Sequence, residues 1–357
     1  AIKDIFCRYQ TQKGKLVHRK AGWDTHGLPI ELGVEKELGI TKEDIGTTIS
    51  IEDYNAACKK AVMRYTDVWN DMTRRIGFWL DLEHPYVTYQ TKYIESVWWL
   101  LKQLYDKDLL YKGYTIQPYS PAAGTGLSSH ELNQPGTYKN VKDTSAVAMF
   151  KVIRDKNSEF LFEGHSSRSL GEGRGEAVFI MAWTTTPWTL PSNTALTVGP
   201  KLEYVRIKSF NPYTHEPQTM VLAKSRISAY FSEKNFVDLA GWEASAGAYA
   251  KDGKHTPWTM DQEFFGHQLE GITYEQLLPY AQPEQGEGFK VIGGDFVTTE
   301  DGTGVVHTAP SFGADDMRVA RQHNIGTLTL VDLQGRFTKE MGEFAGKYVK
   351  NEYYPEG

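Results

Sequence analysis

The texture of hydrophobic spacing shifts near residue 143 of this chain, and that shift limits the possible folds more than any single motif. Before it, apolar residues recur at helical intervals, as Ile2, Ile5, Phe6 and Tyr9 do. Tyr54, Ala57, Cys58, Ala61, Val62, Tyr65, Trp69, Met72 and Ile76 keep close to a helical repeat, which predicts one long amphipathic helix. Ser50, with Asp53 behind it, gives that helix a start like a capping box, with Asp standing where Glu or Gln is usual. A second helix is expected after Thr91, with Ile94, Val97, Trp98, Leu101, Leu104 and Tyr105 on its apolar face. Those aromatics read as helix packing, not as a cofactor box. Leu109 to Tyr119 reads as a strand and turn, followed by a loop of small residues up to His130.

Beyond residue 143 the apolar runs shorten and become β-rich: Ala146 to Ile153, Ala177 to Trp183, Tyr204 to Ile207, Thr219 to Ala223, Phe289 to Ile292, and Gly304 to His307. Polar, glycine-rich loops separate them, for example Gly164 to Glu176, and Ala314 to Ile325 is the best helix in this half. The expected architecture is α/β and α+β. A mainly helical or α/β part covers 1–142, a β-rich inserted domain covers 143–345, and a return segment covers 346–357.

With 357 residues the chain is long enough for two or three domains. Its 40% hydrophobic and 24% charged residues fit a folded, soluble protein. No apolar run approaches the roughly 18 residues of a membrane span, and no basic-then-apolar signal segment opens the chain. Cys7 and Cys58 are its only cysteines, so a disulfide framework and a cysteine-rich zinc site are not expected, and a reducing cytoplasm fits. A net charge of −6 argues weakly against a dedicated nucleic-acid binder. Two basic runs, Lys13 to Lys20 and Lys59-Lys60 with Arg64, remain open either to phosphate or to solvent.

Three islands carry chemistry. The first is Trp183-Thr184-Thr185-Thr186-Pro187-Trp188-Thr189-Leu190-Pro191-Ser192-Asn193. Pro187 gives no ladder hydrogen bond and pushes Thr186 toward extended geometry, so the strand is expected to end there with hydroxyls facing a cleft. Hydroxyls donate and accept, which suits a ribose hydroxyl, an ester oxygen or a water; a plain threonine strand ending at a proline turn is the other reading. The second island is Gly302-Thr-Gly304-Val-Val-His307-Thr-Ala-Pro310-Ser-Phe-Gly313-Ala-Asp315-Asp316. Asp315 and Asp316 fall in the favourable first turn of a helix. Helix capping and pairing with a ligand ammonium both stay open for them. For His307 a hydrogen-bonded structural role stays open too. The third island, Gly22-Trp23-Asp24-Thr25-His26-Gly27-Leu28-Pro29-Ile30-Glu31, is a site wall or a glycine turn capped by Asp24 with Pro29 opening a helix.

Together these strings resemble the isoleucyl-tRNA synthetases, class I enzymes with a second, proofreading domain. The likeness spans nearly the whole chain but is specific only in the islands. Leucyl and valyl relatives carry an arginine before the proline where this chain reads Thr-Thr-Thr-Pro, which favours the isoleucyl branch. The resemblance implies a partial Rossmann-like nucleotide-binding domain with connective helices and an inserted editing domain. It implies that Thr184, Thr185 and Thr186 line the editing pocket with Trp183 and Asn193, and position the terminal adenosine and the hydrolytic water. It implies further that His307 shapes the side-chain pocket, that Asp316, beside Asp315, takes the substrate ammonium, and that Asp24 faces the amino acid's ammonium in the synthetic site. The implied reaction is hydrolysis of valyl-tRNA for isoleucine. No serine or cysteine nucleophile sits beside a histidine in any motif, and no metal-ligand spacing is found among the histidines, so water-mediated chemistry without metal or cofactor is expected there.

Neither ATP signature of class I enzymes is found in the sequence, so the chain is expected to be a fragment. ATP, Mg²⁺ and isoleucine are expected to serve only the full-length enzyme. The partners implied are tRNA for isoleucine and its valyl ester, with a monomer and no membrane. The loop from Pro118 to Leu132 lacks the cysteine pairs that some members carry, so no metal is expected there. Two alternatives stay open: a tRNA-binding module without catalysis, and an editing fragment of a valyl or leucyl relative.

Overall fold

The computed structural model describes residues 2–163, 177–211, 214–245, 255–283 and 285–351. The glycine-rich stretch 164–176 and the last six residues of the expected return segment lie outside the described residues. The chain divides into two compact units, Ala1–Tyr114 and Thr115–Gly357.

The first unit is helical around one short parallel strand pair. Helix α1 (Ile2–Gln12) leads to β1 (Lys20–Trp23), α2 (Leu28–Leu38), α3 (Ile51–Val62), α4 (Thr66–Arg75), β2 (Asp81–Val87) and α5 (Thr91–Tyr105). Gly22 pairs with Tyr86, and a Cβ there would fall 2.0 Å from the Tyr86 ring, so the pairing needs glycine. Ser50 caps α3 as its spacing predicts, accepting the Asp53 amide at 3.0 Å.

The single helix expected over 54–76 is two helices. Both the Thr66 amide and its hydroxyl, at 3.3 and 3.0 Å, take the Met63 carbonyl that a continuing helix would need. Arg64, in the break, reaches back to hold both Glu37 carboxylate oxygens at 2.8 Å. Of the strand and turn expected over 109–119, residues 109–118 form no strand, because among the described residues they find no neighbouring strand to share their backbone hydrogen bonds. Only a short hairpin follows, β3 (Tyr119–Ser120) with β4 (Thr125–Gly126), and then α6 (Ser129–Leu132).

Besides that hairpin, the second unit carries among its described residues an eight-stranded sheet, from β5 (Ala146–Lys151), β6 (Val178–Thr184), β7 (Ala195–Val198), β8 (Glu203–Phe210), β9 (Pro217–Ala223), β10 (Thr259–Phe265), β11 (Lys290–Gly293) and β12 (Val305–Thr308). Strands β7 and β10 add to the runs expected from sequence. The order is β10-β8-β9-β6-β12-β7-β11, with β5 antiparallel along the other edge of β6. Two short helices, α7 (Ile227–Tyr230) and α8 (Leu239–Ser245), follow β9, and α9 (Ala314–Gln322) follows β12.

The largest of three apolar clusters in this unit packs around the sheet. Phe150, Leu161, Ile180, Leu196, Tyr204 and Leu269 are fully enclosed, and Tyr274 is nearly so. Gly304 enters β12 with φ of 75°, and a Cβ there would fall 2.3 Å from that of Ala223; both facts call for glycine at that crossing. The mixed α/β class expected from the sequence is the one found.

Candidate functional site

The site forms where β6 and β12 end side by side and β7 begins. Val306 pairs with Trp183 in parallel, while His307 and Thr308 pair with Leu196 and Ala195 in antiparallel register. Strand β6 stops at Thr184, and Thr186 adopts φ −126° and ψ 66°. Pro187 then opens a tight 3₁₀ turn over Pro187–Ser192. A proline suits that first position because its missing N–H has no partner to lose there.

This turn packs three hydroxyls into one chain of contacts. The Thr184 hydroxyl accepts the Thr186 amide at 3.0 Å and lies 3.3 Å from the Thr186 hydroxyl. The Thr186 hydroxyl lies 3.3 Å from that of Thr189, which donates to the Thr186 carbonyl at 2.8 Å. Thr189 Oγ1 stands 3.0 Å from His307 Nε2, and His307 Nδ1 stands 2.9 Å from Asn193 Nδ2. Thr185 is exposed, Thr186 half-buried and Thr184 buried. Trp183 is half-buried and backs the site by packing against Gly302, where a Cβ would fall 2.9 Å from its ring.

Both His307 and Asn193 are enclosed, at 7% and 3% exposure. Both ring nitrogens of His307 and the amide of Asn193 are engaged by protein groups, so these residues can meet a ligand only by shape or through their partners. Burial holds the His307 ring neutral, with its pKa pushed down to about 4.

The two acids part company. Asp315 is exposed and shares Arg318 with Asp295, at 3.1 and 2.9 Å. Asp316 turns inward, and Oδ2 accepts the Ala309 amide at 2.9 Å, two residues past His307. Burial pushes its carboxyl up to about 6; the Ala309 amide opposes this and the neighbouring charge of Asp315 adds to it. Room for that carboxyl depends on Gly313, where a Cβ would fall 2.9 Å from Asp316 Cγ. Trp188 meets Phe312 edge-on at 5.4 Å, so the turn after β6 and the loop after β12 touch directly. Hydrogen bonds thus join Thr184, Thr186, Asn193 and His307 through Thr189 into one patch, with Thr185 exposed beside it, and Asp316 is tied to the end of the same strand through the Ala309 amide.

Asp24 belongs elsewhere. It lies in the first unit at the end of β1, exposed, with only a long 3.5 Å contact to the His26 amide. It does not cap α2, whose N-cap is Gly27 with no side-chain bond. Two residues of the patch received no role from sequence. Thr189 lay inside the motif, and its place three residues after Thr186 in a turn was the available signal. Tyr274, whose hydroxyl donates to Asn193 Oδ1 at 2.7 Å, sits far from every motif and had none.

A cavity of about 580 Å³ opens elsewhere in the second unit, past the ends of β7 and β11, against Leu202, Glu270, Gly293 and His323. It contains none of the motif hydroxyls, and its Arg318 is already paired with acids.

Residues 1–320 match the family described as tRNA synthetases class I (I, L, M and V). The chain belongs to this family. It is 55% identical to an isoleucine–tRNA ligase of Cytophaga hutchinsonii over 99% of this chain and 30% of that protein. A ligase of the same name from Bacteroides thetaiotaomicron is also 55% identical, over 97% of this chain and 29% of its own. One from Clostridium tetani is 42% identical over 98% and 29%. The chain therefore spans about 30% of the length of the curated relatives it matches. Among solved structures, the crystal structure of GlLeuRS-CP1 is similar over 59% of this chain and 92% of its own, at 15% identity and a TM-score of 0.40. The P. knowlesi cytosolic leucyl-tRNA synthetase editing domain is similar over 51% and 64%, at 13% identity and a TM-score of 0.33. Scores this low carry no argument about the site.

Proposed function

We infer that the patch in the second unit hydrolyses the ester of a mischarged tRNA, with valyl-tRNA for isoleucine as its substrate. The observation that supports this most is the joining of the threonine turn to Asp316 through His307 and Ala309. Hydroxyls that can orient water and ribose thereby share a wall with a carboxyl that can take an α-ammonium. Asp316 is suited to that partner. Its half-buried carboxylate has no cation in the protein among the described contacts, and a ligand ammonium would supply one.

Water attacks the ester carbon, the carbon–ribose oxygen bond breaks, and the proton passes to the ribose oxygen. Valine leaves as the free acid. The need for such a site is energetic: one methylene is worth only about 1–3 kcal/mol in an apolar pocket, a limit for which isoleucyl enzymes are the standing example. The aminoacylation that the relatives' name denotes, with tRNA, isoleucine, ATP and Mg²⁺, is proposed only for a protein of the relatives' full length.

The test is deacylation by the 357-residue chain of Val-tRNA and Ile-tRNA carrying the isoleucine anticodon. Faster valine release, lost in Thr186→Ala and Asp316→Ala with the fold unchanged, is the expected result. Equal release of both amino acids would refute discrimination by this pocket. Binding of tRNA without release of either would favour a non-catalytic module.

A further inference from the structure

Tyr274 ends in the site from outside every motif. Its ring is 1% exposed and packs edge-on against Phe150 at 5.3 Å and Phe289 at 6.2 Å, and its amide donates to the Phe289 carbonyl at 3.0 Å. A side chain held that way has one place to put its hydroxyl, and it donates to Asn193 Oδ1 at 2.7 Å.

The contacts of Asn193 then fix a proton elsewhere. Asn193 Nδ2 lies 2.8 Å from the Ala195 carbonyl oxygen, 2.9 Å from His307 Nδ1 and 3.4 Å from the Thr308 carbonyl oxygen. A carbonyl only accepts, so the amide must present its NH₂ to Ala195; turned over, it would hold two acceptors 2.8 Å apart. The second NH₂ hydrogen meets His307 Nδ1, which must therefore carry a lone pair. The ring is neutral, so its one proton sits on Nε2 and is donated to Thr189 Oγ1 at 3.0 Å.

The direction then propagates. Thr189 spends its own hydrogen on the Thr186 carbonyl at 2.8 Å, so its remaining lone pair accepts the Thr186 hydroxyl at 3.3 Å. The Thr186 hydroxyl, with its hydrogen committed, accepts from Thr184 at 3.3 Å. We propose that Tyr274 is a positioning residue: it holds the Asn193 oxygen while the Ala195 carbonyl holds the nitrogen, and the two together fix the His307 tautomer and so turn the threonine hydroxyls until Thr186 offers the ligand a lone pair and not a hydrogen. This rests on the ester-hydrolysis reading of the patch. A water that donates one hydrogen to Thr186 Oγ1 keeps an oxygen lone pair free for the ester carbon. A Thr186 hydroxyl turned the other way would donate to the water oxygen, occupying one of its two lone pairs and drawing electron density from the atom that must attack.

The proposal is tested on the 357-residue chain by ¹⁵N NMR of labelled histidine, with the His307 signals assigned by their loss in His307→Gln, alongside steady-state hydrolysis of Val-tRNA. The expected wild-type spectrum shows a protonated Nε2 and an unprotonated Nδ1. In Tyr274→Phe, which keeps the ring, the tautomers mix and kcat falls on the order of tenfold with KM unchanged, the size of effect seen when outer partners of a metal site are removed. Asn193→Asp places an acceptor opposite Nδ1, so the proton moves to Nδ1 and kcat falls further. A wild-type Nδ1–H tautomer overturns the proposal, as does a Tyr274→Phe chain with unchanged tautomer and kcat. An Nε2–H tautomer in a chain that releases no valine or isoleucine would refute the activity assigned to the patch while leaving the hydroxyl polarity standing.

Discussion

The two units differ most in what they enclose. In the first, Ala21, Val34, Tyr54 and Val87 are the only buried apolar residues among those described, while Trp98, Trp99 and Leu100 on α5 are 67%, 62% and 57% exposed. In the second, an unbroken core runs through the sheet from Phe150 and Ile180 to Leu269 and Tyr274. Interior packing is dense enough to hold side chains in single rotamers, and exposed helix faces are not. The network of Thr184, Thr186, Thr189, His307, Asn193 and Tyr274, with contacts near 3 Å, therefore has a scaffold in the second unit. Asp24, on an exposed turn of the first, has none.

Substitutions can break this contrast. Phe150→Ala should cost about 3–5 kcal/mol by leaving a cavity in the core, and Trp99→Ala within about 0.5 kcal/mol, because it vacates solvent-facing surface. Thermal unfolding should then show the first change alone lowering the main transition; equal shifts would mean the two units share one core. Next in size, Asp316→Ala should lower kcat/KM for valine release by roughly 10–100-fold, the worth of one charge-assisted bond, while Asp24→Ala leaves it unchanged. Loss of release in Asp24→Ala would place that acid in the hydrolytic chemistry.

The pH dependence sharpens the picture further, because buried His307 and half-buried Asp316 oppose each other. Asp316 has its pKa raised from 3.8 to about 6, so the folded protein holds the extra proton and stability from this group is lost as pH rises through that window. His307 has its pKa lowered from 6.5 to about 4, so the unfolded chain holds the extra proton and stability from this group is lost as pH falls through nearly the same window. Denaturation of the wild type between about pH 4 and 6 should thus be nearly flat from these two groups. Asp316→Asn should give stability that rises with pH and a gain of roughly 1–3 kcal/mol at pH 7, and His307→Gln stability that falls with pH. Parallel curves for all three proteins would contradict the burial of both groups. The smallest effect is expected from Gly313→Ala: the new methyl displaces the Asp316 carboxyl, and kcat/KM for valine release falls a few-fold with stability changed by about 1 kcal/mol.

Local pattern carried the elements whose environment is set by near neighbours. Ser50 and Asp53 announce the start of α3, Pro187 announces the end of β6, and the short β-rich run Gly304 to His307 announces β12. The pattern failed where a distant residue intervened. The break between α3 and α4 depends on Thr66 and on Glu37 reaching Arg64, and no change in periodicity marks it. Strand β10 is half charged and polar, Thr-Met-Asp-Gln-Glu-Phe-Phe, and holds its place because Asp261 meets the buried Arg206 with two bonds of 2.8 Å.

The sequence by itself determined which residue types could do chemistry: three successive threonines stopped by a proline, a histidine closing a strand, and two acids opening a helix. The tertiary structure decided which of them act together. It separated Asp316 from Asp315 by turning one side chain under the Ala309 amide and leaving the other to Arg318. It recruited Tyr274 from 81 positions beyond Asn193. The physical reason is that burial and hydrogen-bond direction depend on every group within about 3 Å, and a folded sheet draws those groups from separate stretches of chain.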